Sequence, residues 1–497
     1  MVTITRTSLN KCNFECDTKK EQKIIDSVLK FWVDGAIFSE KYKKGHWDGF
    51  YRFYDKNNNF DYGLTSELIY NFEQNNIDYE YDDQYIPNFP VKNIKVEIHE
   101  DFEERTYQTN AVKSFFKDNI GIVIVPTRGG KTFISSQCII QINKKYQDFN
   151  SVFIVDSIDL FSQTVDEFSK FLNVDKSEIG KINSDGIQIK KVTICMVQTL
   201  NSIFFGKKKN LKVIRDLNKH FRNVKFLCVD EIQDNCSDSR LSIYKKFTNI
   251  EYVLGLSATP FKQMDLKLSL KIKGFFGDVC YEVKKKTLQK EGFLSLDKAI
   301  LISNDSEAFE VAESYADFLR IYIHENRKRN NILLQLIKIC EKNNWKTLLL
   351  FNSKKHGRII SEMSGQIFID GDSSRDLRKN EKENFLKKKG GILLASNIFK
   401  KGITLPEVEI CIIADGGLEG SNIIQKFGRM LGVTETKKHS IVIDIMDVGG
   451  EYFSEHSLNR LSIYETEIGK KRIEIYEGED DWFEIEESIN EWLNVNK

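Results

Sequence analysis

A glycine-rich segment, VPTRGGKT (125–132), follows an apolar run and precedes a helix-like stretch. Backbone N–H groups at the start of a helix bind phosphates, and a lysine placed there reaches the β- and γ-phosphate oxygens of a nucleotide. The residues expected to bind a nucleotide are Thr127, Arg128, Gly129, Gly130, Lys131 and Thr132, with the Thr132 hydroxyl on Mg²⁺. A strict phosphate loop has glycine where this chain has Val125, so the segment alone leaves an unrelated loop open as the alternative.

A pair of carboxylates follows another apolar run, in KFLCVDEIQ (225–233). At the carboxyl end of a strand, Asp230 can hold Mg²⁺ opposite Thr132, and Glu231 can polarise the water that attacks a γ-phosphate. The alternative is a helix cap, which is the commoner explanation of Asp-Glu after a strand. Because this pair follows the glycine-rich segment within an alternating strand–helix array, nucleotide hydrolysis is favoured over the cap.

Ten short apolar runs recur along the chain, with helix-length segments between them. They are GIVIV (121–125), VFIV (152–155), VTICMV (192–197), KFLCV (225–229), YVLGL (252–256), TLLLF (347–351), QIFI (366–369), ILLA (392–395), EICIIA (409–414) and IVIDI (441–445). Apolar runs without polar alternation are typical of strands buried on both faces of a parallel sheet. Since the runs fall into two groups of five, the sequence predicts two tandem α/β domains.

The segment before these runs differs in composition. Residues 30–85 mix aromatic residues, glycine and an asparagine-rich turn, and YRFY, DKNNN and FDYGL together predict a hairpin. The prolines of YIPNFP (85–90) mark a plausible boundary. We therefore predict a small α+β module ahead of the two larger domains.

Composition narrows the class of protein. A chain of 497 residues is too long to fold around a single hydrophobic core. Its content of 41% hydrophobic and 29% charged residues is ordinary for a globular protein. No apolar run is long enough to span a bilayer and the N-terminus lacks a signal-peptide pattern, so we expect an intracellular protein without membrane contact. The nine cysteines show no zinc-site spacing, so no structural metal is expected.

The net charge of zero hides an asymmetry. Residues 473–497 carry nine acidic residues and one basic residue, which leaves +8 on residues 1–472. An acidic end on a basic body is compatible with a polyanionic ligand, although a solvated charged end is the simpler explanation.

The order and spacing of these segments resemble superfamily 2 helicases over nearly the whole chain. RTYQTNAV (105–112) is similar to the adenine-reading element, VPTRGGKT to motif I, DEIQ (230–233) to motif II and LSATP (256–260) to motif III. The resemblance implies that Arg105 and Gln108 bind the nucleotide and that Lys131, Asp230 and Glu231 catalyse ATP hydrolysis. It also implies that Gln233, Ser257 and Thr259 couple nucleotide state to the cleft between two domains.

Further motifs extend the resemblance. QTL (198–200) resembles motif Ib, LLLFNSKKHG (348–357) motif IV, ASNIFKKGITLP (395–406) motif V and QKFGRMLG (425–432) motif VI. The implied DNA contacts are Gln198, Thr199, Asn352, Ser353, Ser396 and Asn397; Gly402 is implied in nucleotide binding, and Gln425 and Arg429 in catalysis. Gly432 stands where the family usually has a second arginine, so either Arg429 alone meets the transition-state charge or Lys437 or Lys438 substitutes.

The N-terminal residues are similar to the small nucleic-acid-binding domain of the bacteriophage UvsW family of branched-DNA helicases. The similarity rests on Phe38 and KYKKGHWDG (41–49), followed by YRFY. Lys41, Lys43, Lys44 and Arg52 would contact phosphates, and Trp47 would stack on a base or wedge at a junction. The alternative is that Trp47 belongs to the core of a small domain.

The resemblance implies an α/β fold of two RecA-like domains, each a parallel sheet flanked by helices, behind a small α+β nucleic-acid-binding domain. The expected boundaries are 1–90 for the DNA-binding domain, 91–265 and 266–460 for the RecA-like domains, and 461–497 for a helical, acidic tail. The implied cofactors are ATP and Mg²⁺.

The implied activity is that of a monomeric ATP-dependent DNA helicase or translocase in the host cytoplasm, if the chain is phage-encoded. It would unwind or branch-migrate forks and junctions in recombination, repair or replication restart, with RNA in R-loops as a further ligand. The alternatives are an RNA-directed helicase or duplex-DNA motor within a larger complex, and a nucleotide-gated nucleic-acid-binding protein that does not unwind.

Overall fold

The structure, a computed structural model, describes residues 1–87, 91, 94, 105–146, 149–207, 209–261, 265–305, 314–396, 405–414, 416, 427–428, 430–448, 451–478 and 481–495. The chain divides into two compact units. The first is Met1–Pro126 with Gly130–Val283, and the second is Lys284–Lys497 with Thr127–Gly129.

The first unit begins with a small α+β module. Its strands are β1 (Val2–Ser8), β2 (Lys11–Glu15), β3 (Lys30–Trp32), β4 (Phe50–Arg52), β5 (Asn59–Asp61) and β6 (Tyr79–Asp83), and its helices are α1 (Lys19–Leu29), α2 (Glu40–Lys43) and α3 (Thr65–Gln74). Four strands form a sheet in the order β5-β2-β1-β6, while β3 pairs with β4. The predicted hairpin is reduced to one antiparallel bridge between Tyr54 and Phe60, because β4 and β5 pair with other strands.

An eight-stranded sheet follows in the same unit. Its strands are β7 (Ile120–Ile124), β8 (Asn150–Val155), β9 (Ile179–Asn183), β10 (Gly186–Gln188), β11 (Val192–Met196), β12 (Val224–Asp230), β13 (Tyr252–Ser257) and β14 (Val279–Glu282). The helices are α4 (Thr106–Asp118), α5 (Lys131–Lys145), α6 (Ile158–Leu172), α7 (Val197–Phe205), α8 (Leu211–Arg222), α9 (Asp238–Tyr244) and α10 (Leu266–Phe276). The order is β10-β9-β11-β8-β12-β13-β7-β14, and every pair is parallel except β10 with β9.

The N-terminal module packs directly against α10. Leu270 of α10 lies in the apolar core of the module, and Leu9 of the module lies in the core of the eight-stranded sheet. The Lys273 ammonium lies 2.5 Å from Glu67 Oε1, and the backbone of Gly63 approaches so closely that an added Cβ would lie 1.8 Å from the Lys273 carbonyl oxygen. The module and the large sheet therefore share buried surface.

The second unit contains one seven-stranded sheet. Its strands are β15 (Leu296–Asn304), β16 (Lys346–Phe351), β17 (Phe368–Ile369), β18 (Gly391–Ser396), β19 (Ile410–Ile413), β20 (His439–Asp447) and β21 (Ile473–Tyr476). The helices are α11 (Lys285–Lys290), α12 (Tyr315–Leu319), α13 (Arg327–Lys342), α14 (Lys354–Ser364), α15 (Arg375–Lys387), α16 (Glu451–Glu467) and α17 (Trp482–Asn494). The order is β17-β18-β16-β19-β20-β15-β21, with every pair parallel.

The predicted fold class is confirmed. All ten apolar runs contain strands of the two large sheets, because uninterrupted aliphatic residues can be buried on both faces. The acidic C-terminal stretch is part of the second unit: β21 pairs with β15, and Ile485, Ile489 and Leu493 of α17 enter the second apolar core. The domain boundaries given above stay a prediction.

No helix in the portion of the chain that the structure describes is long and apolar enough to cross a membrane.

Candidate nucleotide site and nucleic-acid contacts

Three neighbouring strands of the first large sheet carry the predicted nucleotide-binding residues. The central strand β13 pairs in parallel with β7 on one side and with β12 on the other. Because the carboxyl ends of parallel strands share one edge of a sheet, the segments that follow them lie together. The residues of motifs I, II and III are therefore neighbours although long stretches of chain separate them.

Lys131 is the first residue of α5 and is buried. Its Nζ lies 2.5 Å from Glu231 Oε1 and 3.6 Å from Asp230 Oδ1. Burial raises the pKa of Asp230 to about 6; the charge of Lys131 opposes this shift and that of Glu231 adds to it. The site thus holds two carboxylates and one ammonium group in a largely buried setting, where charges interact more strongly than in water.

The backbone of Glu231 adopts a left-handed conformation, with φ of 47°. This conformation is unfavourable for a residue with a side chain and is found at functional sites. The Asn235 amide donates a hydrogen bond to the Asp230 carbonyl (2.8 Å) and a longer one to the Glu231 carbonyl (3.3 Å), and Asn235 is fully buried. Asn235 was not among the residues predicted from the sequence. The signal that could have identified it is an amide residue four positions after Glu231, the second of the two carboxylates at the strand end.

A chain of hydrogen bonds leads from motif II to motif III. The Gln233 amide donates to Glu231 Oε2 (2.8 Å), and the Ser257 hydroxyl donates to Gln233 Oε1 (2.6 Å). The backbone N–H of Thr259 then donates to the Ser257 hydroxyl (2.9 Å). The three residues predicted to couple nucleotide state therefore lie in one connected network with Glu231.

Gln108 lies against the phosphate loop. Both Arg105 and Gln108 donate to the Tyr107 hydroxyl, at 3.5 and 3.4 Å. Gly130 has φ of 82°, and a Cβ added there would lie 2.1 Å from Gln108 Nε2. Glycine is therefore required at position 130 both for its backbone conformation and for the approach of Gln108.

The remaining loop residues also have distinctive conformations. Arg128 has φ of 70°, a left-handed conformation at the place where the helicase pattern usually has glycine. Thr132 follows Lys131 in the first turn of α5, and its side chain is half-buried. A threonine hydroxyl and a carboxylate are the oxygen donors that Mg²⁺ prefers, so Thr132 and Asp230 fit this ion.

In the second unit, three of the predicted DNA contacts lie at or just after the carboxyl ends of two strands. Ser396 is the last residue of β18 and is buried, while Asn352 follows β16 and is exposed. The Ser353 hydroxyl accepts from the His356 N–H at the start of α14, so it also caps that helix. Asn397, Gly402, Gln425 and Arg429 lie outside the described residues.

Lys437 has a structural role in the second unit. Its ammonium is buried and donates to the carbonyl oxygens of Pro406 (2.9 Å), Met430 and Gly432 (3.3 Å). Burial lowers the pKa of Lys437 to about 7. These contacts join the ends of motifs V and VI, and they argue against Lys437 as a substitute for the missing motif VI arginine.

The predicted DNA contacts of the N-terminal module fall into two groups. Lys41 and Lys43 are exposed on α2, and the exposed Lys44, directly after the helix, pairs with Glu40 at 3.2 Å. Arg52, by contrast, donates to both carboxylate oxygens of Asp48. The half-buried Trp47 donates from Nε1 to the Phe50 carbonyl (2.8 Å), which favours its alternative role in the packing of this module.

The motif Ib residues lie at the start of α7. Gln198 is exposed and its amide donates to the Asp156 carbonyl, which follows β8, and Thr199 is half-buried. This bond ties the start of α7 to the end of the neighbouring strand β8.

Three family models match successive parts of the chain. Residues 4–82 match the N-terminal domain of the DNA helicase UvsW, residues 101–262 the res subunit of type III restriction enzymes, and residues 328–431 the helicase conserved C-terminal domain. The match of residues 101–262 spans β7 to β13 of the first large sheet, that of residues 328–431 spans β16 to β19 of the second, and that of residues 4–82 spans most of the small α+β module.

Curated relatives and solved structures agree with these matches. The chain is 22% identical to the ATP-dependent DNA helicase uvsW of Enterobacteria phage T4 over 492 residues, covering 91% of this chain and 95% of the relative. It is 25% identical to the DNA 3'-5' translocase XPB2 of Sulfurisphaera tokodaii, covering 71% and 83%. The structure of S. cerevisiae Dbp5 bound to RNA and ADP BeF3 has a TM-score of 0.56 at 17% identity, covering 78% and 93%, and supports the fold.

Proposed function

The chain belongs to the superfamily 2 helicases, ATP-dependent enzymes that act on nucleic acids, and we propose that it unwinds or branch-migrates forked and junction DNA. One observation supports DNA as the substrate: residues 4–82 match the N-terminal domain of a DNA helicase. The chain also aligns with the T4 helicase over almost its full length. Its setting would be recombination, repair or replication restart.

ATP hydrolysis is assigned to the residues at the edge of the first large sheet. Lys131 binds the β- and γ-phosphates, and Glu231 orients the attacking water and accepts its proton. Thr132 and Asp230 would hold Mg²⁺, which neutralises charge on the phosphates when bound. Gln108 and Arg105 would bind the base, and Arg429 would stabilise the charge that develops on the γ-phosphate.

The hydrogen-bond network transmits the state of the site. Any movement of Glu231 toward a water must shift Gln233, because the Gln233 amide donates to Glu231 Oε2. Ser257 and Thr259 follow through their own hydrogen bonds. We propose that this network couples hydrolysis to the grip of Gln198, Thr199, Asn352, Ser353, Ser396 and Asn397 on one DNA strand.

Two other functions compete with this proposal. The fold is shared with the structure of S. cerevisiae Dbp5, which is bound to RNA, so an RNA-directed helicase or a motor within a larger complex is the second candidate. A nucleotide-gated binding protein without unwinding is the third, because Val125, Arg128 and Gly432 depart from the usual motifs.

The test measures ATP hydrolysis and strand displacement with a forked duplex, single-stranded DNA, linear duplex DNA and RNA. We expect the forked duplex to stimulate hydrolysis most and to be unwound only with ATP. The Glu231→Gln variant is the control, since it should bind ATP and DNA without unwinding. Stimulation by RNA alone, or ATP-dependent DNA binding without displacement, would replace the proposal by the second or third candidate.

A further inference from the structure

Helix α8 carries a row of cations that the helicase motifs leave without a role. Its first N–H groups are capped by Asn210, whose side chain accepts from the Val213 N–H at 3.3 Å. Leu217 and Phe221 are buried in the first large core, with Val213 and Ile214 packed against it. The opposite face is exposed and displays the basic stripe, which consists of Lys212, Arg215, Lys219 and Arg222.

The spacing of the basic stripe is regular. With a rise of about 1.5 Å per residue, successive members are separated by about 4.5–6 Å along the helix axis and span about 15 Å. Asp216 is the one acidic residue of α8. Among the ion pairs found in the described part of the chain, none involves a member of the stripe. The helix therefore presents a largely uncompensated positive face.

The stability of the helix explains the positions of only two of the four cations in the basic stripe. Lys219 and Arg222 lie in the last turn, where cations are stabilised by the helix dipole. Lys212 lies in the first turn of the helix, where the dipole disfavours cations and no acidic residue is present, and Arg215 lies near the middle of the helix, where the dipole has little effect. The helix dipole therefore gives no reason for the cations at these two positions.

Neighbouring segments extend the positive surface. Residues 207–222 contain seven basic residues and one acidic residue, in a chain whose net charge is zero. Phe221 stacks on Phe247 at 4.3 Å, and this contact places the segment after α9 beside α8. In that segment the Lys246 ammonium lies 4.8 Å from the centre of the Phe204 ring.

We propose that the basic stripe of α8 binds the phosphate backbone of double-stranded DNA. This surface is separate from the residues of motifs Ib, IV and V that are predicted to contact a DNA strand. Cations spaced by a few ångströms along a rigid helix suit a row of phosphates. The aromatic rings of α8, His220 and Phe221, are buried and offer no exposed face for an unpaired base, and this favours duplex over single-stranded DNA. The proposal rests on the proposed function, because it assumes a DNA substrate.

The location links such contacts to the nucleotide site. α7 precedes α8 and begins with the motif Ib residues Gln198 and Thr199. α8 leads, through Asn223, into β12, whose last residue is Asp230. Duplex DNA held by the stripe would therefore contact the element that lies between a strand-binding motif and the motif II strand.

The experiment compares two full-length variants of equal charge change. The first replaces the stripe by glutamine (Lys212→Gln, Arg215→Gln, Lys219→Gln and Arg222→Gln), and the control replaces four exposed lysines of the second unit (Lys379→Gln, Lys387→Gln, Lys388→Gln and Lys389→Gln). Affinity for a linear DNA duplex of about 30 base pairs is measured over a series of salt concentrations. Affinity for a single strand and for an RNA duplex of the same length is measured in parallel.

We expect the stripe variant to bind duplex DNA at least about tenfold more weakly at low salt. Since each phosphate contact contributes about 0.9 to the slope of log affinity against log salt, the slope should fall by about 2–4. The control variant and the ATPase rate without DNA should be unchanged. If the fourfold variant fails to fold, the double variant Lys212→Gln with Arg215→Gln should still lower the slope by about 1–2.

An unchanged slope, or an equal loss in the control variant, overturns the proposal. A loss confined to RNA duplex or single-stranded DNA overturns the choice of duplex DNA as the ligand. These outcomes are distinct from failure of the proposed function, which is read from the wild-type protein as an absence of DNA-stimulated ATP hydrolysis and strand displacement.

Discussion

Lys131 Nζ lies 2.5 Å from Glu231 Oε1, closer than its 3.6 Å approach to Asp230 Oδ1. The lysine of motif I thus pairs with the carboxylate assigned to the attacking water. Gln233 holds the other oxygen of the same carboxylate. When a γ-phosphate pairs with Lys131, the lysine would no longer bind Glu231 Oε1. That oxygen would then be available to bind the attacking water, so nucleotide binding and the activation of Glu231 are linked through one ammonium group.

Substitutions at the two ends of this pair should have different effects. Lys131→Ala should abolish hydrolysis and weaken ATP binding, because it removes the charge that meets the phosphates and leaves the buried Asp230 and the half-buried Glu231 without that charge. Glu231→Gln should keep ATP binding and reduce turnover by at least about 10²-fold, because Asp230 and Thr132 are intact. Nucleotide binding and single-turnover hydrolysis measure the two effects. Wild-type turnover in Glu231→Gln would show that another residue activates the water.

Asn235 should hold Glu231 in its left-handed conformation. Asn235→Ala removes the donor to the Asp230 and Glu231 carbonyls, and we expect a loss of stability of about 1–3 kcal/mol together with a lower kcat at nearly constant KM for ATP. The matched control is Tyr244→Phe, which removes a hydrogen bond to the Asn235 carbonyl and spares the amide. Denaturant unfolding and steady-state ATPase kinetics give both readouts. An equal fall of kcat in the control would assign the effect to general loosening.

Substitutions of Arg429 and of Lys437 should have different effects, the first on the rate of hydrolysis and the second on stability. Arg429→Ala should lower DNA-stimulated turnover by at least about 10²-fold with little change in nucleotide affinity, as expected of an arginine that meets transition-state charge. Lys437→Met should mainly lower the melting temperature, because three carbonyl oxygens lose their shared donor. Thermal melts and ATPase rates are compared for both. The assignment fails if Arg429→Ala stays active while a folded Lys437→Met loses turnover.

The docking of the N-terminal module depends on small residues. Gly63→Ala would place a Cβ 1.8 Å from the Lys273 carbonyl oxygen, so the module should shift away from α10 and the protein should lose stability by about 1–3 kcal/mol. Gly274→Ala is the control, because its Cβ would meet its neighbours at an ordinary 3.4 Å. Limited proteolysis and denaturant unfolding report the change. Equal stability of the two variants would show that the module does not need this close approach.

Burial makes His356 a source of acid sensitivity. Its pKa lies well below the usual value, mainly because of burial and further because of Arg329, and its Nε2 bonds to Asn330 Oδ1 at 2.9 Å. The unfolded chain binds this proton near pH 6.5 and the folded chain does not, so the stabilisation is present above pH 6.5 and is lost as the pH falls below it. His356→Gln should flatten the dependence of the unfolding free energy on pH by up to about 1.4 kcal/mol per pH unit between pH 6.5 and 5. An identical pH dependence in the variant would exclude His356 as the cause.

Much of the chemistry follows from the sequence alone. A phosphate loop and a strand ending in two carboxylates are local patterns, and Gly130 and Glu231 lie where these patterns place them, at a helix start and directly after a strand. The apolar runs predicted ten of the fifteen described strands of the two large sheets for a similar reason, since burial on both faces leaves little room for polar residues.

Only the tertiary structure decided which of these residues meet. The order β12-β13-β7 brings Lys131 to Glu231, and no local pattern specifies the order of strands in a sheet. The roles of Asn235 and Lys437 depend on carbonyl groups that the fold places around them, and the acidic C-terminal segment adds a strand because β15 offers it an edge. The packing of Gly63 on α10 joins residues about two hundred positions apart. Such contacts depend on the shape of the whole unit, whereas motifs and apolar runs depend on neighbouring residues.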